Sequence, residues 1–282
     1  MNKLNQTVSV ILTTLKFLFL GVLMLLFIFP FIMVVLNAVK TDGDFLSNPM
    51  SLPSIFVFSN FTKAFEKMNF INAFFNSFTV TIFSTGLIIL LSSMTAYRFV
   101  RNTSKLNNFV FFSMVGAMII PFQAIMIPLV GIYFGKFHMS SNKWLLIYLY
   151  IGFGISQAIF MYSGFIKGIS RELDEAAMID GCSKFRTFFT IIFPLLTPIT
   201  MTIAIMDVLW IWNDFLLPTL IVGASMNEYT LPMSTYKFFG TYTAQYTLIM
   251  ASLLMTMFPV IIMYLLLQKY IIAGLTQGAL KG

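Results

Sequence analysis

The sequence predicts an all-α integral membrane protein with about six transmembrane helices, and three observations carry the prediction. Of 282 residues, 59% are hydrophobic and 10% charged, with a mean hydropathy of +0.89, far from the composition of a soluble domain. Apolar runs fall near residues 17–37, 71–97, 108–134, 144–165, 199–222 and 247–267. Each is long enough to cross a hydrocarbon core of about 30 Å, which takes roughly 20 helical residues. The runs are also continuous, whereas strands of a membrane barrel alternate over segments of about ten residues.

The first apolar stretch, residues 15–36, is too long for a cleavable signal and is closed by no small-residue cleavage site, so it reads as a retained span. Turn-forming Asp42, Gly43, Asn48, Pro49 and Pro53 follow it. Residues 60–67 then predict a short interfacial helix with Phe61 and Phe65 facing lipid. In the third run Pro121 and Pro128 each free a carbonyl and bend the chain on either side of Gln123. That leaves two readings, a kinked packing helix or a hinge beside a translocation path.

The fifth run carries two acids. Asp207 and Asp214 are seven residues apart, so on one helix their directions differ by only ~20°, with Trp210 on the same side. A carboxylate near mid-bilayer costs on the order of 2.5 to 3.5 kcal/mol even on lenient insertion scales, so these groups are expected to face a cavity or a partner. Two readings stay open, a polar pathway and interhelical glue between subunits.

Between the fourth and fifth runs lies the one long charged interruption of the second half, residues 171–198. Residues 171–179 favour a helix, Gly181 suits a terminator with positive φ, and Ser183 can cap the segment that Pro194 and Pro198 close. On the first helix Leu173, Ala176, Ala177 and Asp180 share i, i+3, i+4, i+7 spacing, with Arg171, Glu172, Asp174 and Glu175 on the flanks. Such a narrow face of small residues suits a helix laid into a groove on a partner.

Charge then orients the chain. Lys3, Lys16, Arg98, Arg101, Lys105, Lys167, Arg171, Lys184, Arg186, Lys269 and Lys281 fall on one side of the spans. Lys40, Lys63, Lys67, Lys136, Lys143 and Lys237 fall on the other. The larger set predicts a cytoplasmic location for both termini and for the 171–198 loop. The net charge of +7 therefore reflects topology, and no basic cluster points to nucleic acid. A single cysteine, Cys182, and a single histidine, His138, supply neither a disulfide nor a metal-ligand set, and no nucleophile arrangement suggests an enzyme.

The loop residues Glu175, Ala176, Ala177, Asp180 and Gly181, followed by Phe188, Ile191, Pro194, Leu195 and Pro198, resemble the cytoplasmic loop of bacterial ABC importer permeases. Ser170 stands where relatives often have proline, a change between two residues that both start helices. Asn76-Ser77 and Tyr97-Arg98 are similar to the pairs that open and end the second span in that family. Trp212-Asn213-Asp214-Phe215 resembles the signature of its sugar-importing, maltose-type branch. The resemblance implies a type I ABC importer fold in which the 171–198 loop forms the coupling helix. Leu173, Glu175, Ala176, Ala177, Asp180 and Gly181 would then contact a separate ATP-hydrolysing subunit. Asp207, Trp210, Trp212, Asn213 and Asp214 would line a carbohydrate path, where aromatic faces stack on sugar rings and polar groups bond hydroxyls.

The implied organisation is an N-terminal helix and external loop over residues 1–70, a transport core over 71–268 and a cytoplasmic tail over 269–282. The tail reads either as a frayed terminus or, by its resemblance to maltose-type tails, as a contact with the ATPase. No phosphate-binding loop occurs in the chain, so ATP is expected on the partner and no cofactor or metal here. The further partners implied are a second homologous permease, an extracellular or periplasmic sugar-binding protein and the lipid of a bacterial cell membrane. The rival reading is an ion-coupled secondary transporter using Asp207 and Asp214.

Overall fold

The computed structural model describes residues 3–238 and 245–279, with side chains described for residues 11–238, 245–266 and 268. The helices in chain order begin with α1 (Lys3–Ala38), α2 (Asp42–Ser47), α3 (Ser59–Met68), α4 (Phe70–Arg101) and α5 (Lys105–Ala117). Next come α6 (Phe122–Val130), α7 (Lys143–Ile166), α8 (Glu172–Ile179), α9 (Lys184–Thr187) and α10 (Phe193–Leu195). The last are α11 (Thr197–Asn213), α12 (Leu216–Val222), α13 (Leu231–Ser234) and α14 (Tyr246–Ala279). Four of these contain a stretch long and apolar enough to cross a membrane, and six crossings result if each of two bent pairs counts as one.

The chain departs from the helices expected at the first bent pair and at a separate break after α11, while the second bent pair, Lys184–Leu195 with Thr197–Asn213, turns by 76° at Leu196. The third apolar run is α5 and α6 meeting at 98°. Pro121 has no N–H to return to the Ala117 carbonyl, so α5 stops at Ala117 and α6 starts afresh after the proline. Six residues of wider π-helical turn, Gly131–Lys136, then continue α6 beyond Pro128. In the fifth run the expected continuous helix over 199–222 is replaced by α11, a break at Asp214 and Phe215, and α12. The reason lies downstream: Pro218 cannot donate to the carbonyl of Asp214, and proline is tolerated only in the first turn of a new helix. Asp214 is accordingly extended (φ −70°, ψ 135°) and its Oδ1 accepts from Leu216 N at 3.0 Å.

Two compact units emerge from the contacts, residues 1–68 with 235–258, and residues 69–234 with 259–282. In the first unit Lys40 is fully buried, its Nζ donating to the carbonyls of Asn48 (3.1 Å) and Pro49 (3.0 Å). Asn60 donates its amide to the carbonyls of Ala38 (3.0 Å) and Lys40 (2.8 Å), so α3 is anchored by a buried polar residue. Phe65 on α3 is exposed, while Phe61 is half-buried. Asp42 accepts from Thr247 at 2.7 Å and Phe45 stacks on Tyr246 at 4.9 Å. The hydroxyl of Ser54, 2.5 Å from Asp44 Oδ2, holds that exposed carboxyl below its ordinary range.

The core of the second unit forms where α4 packs on α7 and α11. Along α4 the buried positions Ser77, Thr81, Ser84, Thr85, Ser92 and Ala96 are small, which lets a neighbouring backbone come close, as polar small residues do between membrane helices. The facing position on α7 is Gly154, where a β-carbon would lie 2.6 Å from Ile88 Cδ1 and 3.4 Å from Trp210 Cζ3. Three helices meet at that glycine.

Candidate functional site

Both ends of α4 hold loops. At its start Asn76 donates to the carbonyls of Asn227 (2.7 Å) and Tyr229 (3.2 Å) and accepts from Lys143 Nζ at 3.0 Å. Ser77 Oγ accepts from Leu231 N at 2.8 Å. The Asn-Ser pair singled out in the sequence therefore ties the segment before α13 to the start of α7, which Asn142 caps through Trp144 N and Leu145 N. At the far end Tyr97 donates its hydroxyl to Asp174 of α8, and Arg101 Nε lies 2.8 Å from Asp174 Oδ2 as an ion pair. Both Arg101 terminal nitrogens bond the Ile169 carbonyl at 3.1 Å, and Arg171 bonds the Val100 carbonyl at 3.3 Å.

Helix α8 thus has a fixed rotation about its own axis. Its first turn carries Glu172, Asp174 and Glu175, the sign that complements a helix N-terminus. Its last turn closes with Gly181 N bonded to Met178 O (3.1 Å) and Cys182 N to Ala177 O (2.9 Å), the paired bonds of a Schellman end. Gly181 has φ +79°, the left-handed conformation that the motif demands. Ser183 then caps α9, accepting from Arg186 N at 3.3 Å.

That rotation corrects one expectation. Ala177 is turned inward at 3% exposure, packed within its own chain, so it does not share an outer face with Leu173, Ala176 and Asp180, all of which are exposed. Glu175 is exposed beside them, and Ile179, which the sequence reading passed over, is 86% exposed. An isoleucine between the acidic first turn of α8 and Asp180 was the signal available. Behind α8 a cavity of about 550 Å³ is lined by Tyr97, Arg98, Asp174, Met178, Lys184 and Phe188, among others.

The residues expected along a pathway separate into two environments. Asp207 is buried, with Oδ2 lacking a hydrogen-bond partner among the described residues, and Trp212 is buried with its ring edge-on to Phe74 at 5.7 Å. Trp210 is 41% exposed, edge-on to Tyr150 at 5.4 Å. Asp214 accepts the Tyr150 hydroxyl at 2.8 Å, and Asn213 is exposed with its amide bonded to Leu209 O at 2.7 Å. Asp207 and Asp214 do not share one helix face, because α11 ends between them at Asn213. The open cluster is Trp210, Asn213 and Asp214, held from within by the buried Tyr150, which the sequence reading missed.

Residues 88–277 match the family described as binding-protein-dependent transport system inner membrane component. The chain belongs to this family. Its relatives include the probable starch degradation products transport system permease protein AmyC of Thermoanaerobacterium thermosulfurigenes, 44% identical over 93% of this chain and 95% of that protein. Another is the melibiose/raffinose/stachyose import permease protein MelC of Bacillus subtilis, 37% identical over 90% of this chain and 91% of that one. A solved bacterial ABC transporter involved in alginate import contains a chain with the same fold, at TM-score 0.79 and 19% identity, covering 96% of this chain and 98% of that one. The protein is thus a multi-pass inner-membrane permease subunit with the type I ABC importer fold, and not an enzyme. Membership also sets aside the rival reading of an ion-coupled carrier. A permease of this class works in general with an ATPase, a binding protein and a second permease.

Proposed function

We propose that this permease forms, with a second homologous permease, a membrane path for oligosaccharides delivered by an extracellular sugar-binding protein, driven by an ABC ATPase docked on α8. The observation that carries the coupling half is the pinned rotation of α8, which directs Leu173, Glu175, Ala176, Ile179 and Asp180 outward from a Schellman end at Gly181. Gly181 and Ala177 serve from within, one ending the helix and the other seating it.

The carbohydrate half is supported by the sugars in the relatives' names and by the open Trp210 ring beside Asn213 and Asp214. An indole face suits the apolar face of a pyranose, and the amide and carboxylate suit its hydroxyls. Asp207 and Trp212, both buried, support the path from behind. Residues 71–268 form the transport core in this reading, with residues 1–70 preceding it. The tail proposed to reach the ATPase, residues 269–282, lies outside the described side chains, and residues 280–282 lie outside the described residues.

The proposed orientation places both termini and α8 in the cytoplasm. Cysteine labelling tests it after Cys182 is replaced, since that thiol is partly exposed. A cysteine at position 43 is expected to react from outside and one at position 103 only after permeabilisation; the reverse pattern overturns the orientation. For the substrate, the purified transporter with its binding protein is reconstituted and offered labelled malto-oligosaccharide, raffinose and an amino acid. ATP-dependent uptake of an oligosaccharide is expected, and uptake of the amino acid alone sinks the carbohydrate reading.

A further inference from the structure

A second cavity, of about 580 Å³, lies across Arg101 and Arg171 from the one behind α8. We propose that it binds the phosphate-bearing head group of an anionic membrane lipid. Arg101, Lys167 and Arg171 line it, and no carboxylate does. Arg101 is engaged by Ile169 and Asp174, but Lys167 is exposed with no ion pair or side-chain hydrogen bond among the described residues. The Arg171 guanidinium makes one hydrogen bond among the described residues, to the Val100 carbonyl, which leaves most of its five donors available.

A second feature is independent of these charges. Ser163 lines the same cavity, is 2% exposed, and has a hydroxyl with no hydrogen-bond partner among the described residues. Serine in a membrane helix ordinarily bonds the carbonyl one turn back, as Ser92 does to Ile88 O at 2.5 Å. A donor left open beside three cations suits a phosphate oxygen.

The apolar part of the lining makes the ligand amphiphilic. Phe99, Phe111 and Phe112 belong to it, and Phe112 is 68% exposed on α5 next to the 70% exposed Phe109. These rings continue the cavity onto the apolar outer surface of α5, where an acyl chain can lie. The cavity is built where α4 ends, α7 ends and α5 begins, the level at which head groups meet spanning helices. A bound head group would bridge Lys167 to Arg171, the residue immediately before α8, and so bear on the helix proposed to meet the ATPase.

The test uses the assembled transporter in nanodiscs of phosphatidylcholine alone or of an equal mixture with phosphatidylglycerol. Lipid retained after extraction is measured by mass spectrometry. Wild type is expected to retain phosphatidylglycerol selectively, and the Lys167→Gln/Arg171→Gln variant to lose roughly tenfold of that retention, as befits two charge-assisted contacts. Lys105→Gln removes a charge outside the cavity and is expected to retain lipid as wild type does. Should Arg171→Gln impair folding, Lys167→Glu alone is expected to give the same loss, since its side chain is exposed. Equal retention in wild type and cavity variants overturns the proposal. So does an equal loss in Lys105→Gln, which would mark bulk attraction, or full displacement by inorganic phosphate, which would mark a site for the free ion. Both faces of a nanodisc are open, so the outcome does not depend on the proposed orientation.

Discussion

Arg101 and Asp174 join the end of a spanning helix to the first turn of α8, with Nε 2.8 Å from Oδ2 and side chains 13% and 15% exposed. Because Tyr97 donates to the same carboxylate, Asp174 fixes where α8 begins and which way it faces. Removing one partner of a largely buried pair leaves the other charge uncompensated. Asp174→Ala is therefore expected to raise amide hydrogen exchange across residues 172–179 and to lower stability by about 1 to 3 kcal/mol. Unchanged exchange in that segment would show that the pair does not hold the helix.

Adjacent alanines are expected to behave differently. Ala177 is buried within the permease, so Ala177→Leu overpacks the chain itself, at a cost of about 1 to 3 kcal/mol visible as a lower melting temperature of the permease alone. Ala176 is exposed, and Ala176→Leu is expected to leave that temperature unchanged while reducing retention of the ATPase during purification. If both variants melt alike, the assigned rotation of α8 is wrong.

Gly181→Ala places a β-carbon on a residue at φ +79°, where the left-handed conformation costs roughly 1 to 2 kcal/mol. Nothing lies within 4 Å of that β-carbon, so the cost is conformational and not steric. Gly181→Asn is accordingly expected to be milder than Gly181→Ala in a thermal melt, because asparagine tolerates positive φ. An equal loss in both would point to a contact in place of backbone strain.

Much of this was legible in the sequence because it is local. Continuous apolar runs gave the helices, Gly181 the end of α8, and Ser183 the cap of α9. The rotation of α8 was not legible, since it is set by Tyr97 and Arg101, more than seventy residues upstream, and periodicity alone could not separate Ala176 from Ala177. The break at Asp214 was written in Pro218, but hydropathy averages over a proline in an apolar window and joined α11 to α12. Tyr150 escaped notice for a similar reason: a tyrosine within an apolar span looks like core until its hydroxyl is seen to reach an acid.

That reach yields the last prediction. Asp214 uses both oxygens, Oδ1 for Leu216 N at 3.0 Å and Oδ2 for the Tyr150 hydroxyl at 2.8 Å, while the Tyr150 ring supports Trp210 edge-on at 5.4 Å. Asparagine at 214 can keep its oxygen for the backbone amide but then turns an N–H toward Tyr150, so the hydroxyl has to accept in place of donating and its own proton loses its acceptor. Asp214→Asn is expected to cost about 1 to 2 kcal/mol and to impair oligosaccharide uptake while the transporter still assembles. Tyr150→Phe deletes the donor and leaves Oδ2 without it, so this variant too is expected to lose stability. Combined, the two changes remove both sides of one contact, and their effects are expected to fall short of the sum by about 0.5 kcal/mol or more. Thermal melts of the four proteins give the cycle, and uptake assays on the same preparations show whether Trp210 still performs when Tyr150 has lost its anchor. Strict additivity in the melts would mean that the hydrogen bond contributes nothing, and normal uptake in all three variants would remove Trp210, Asn213 and Asp214 from the path.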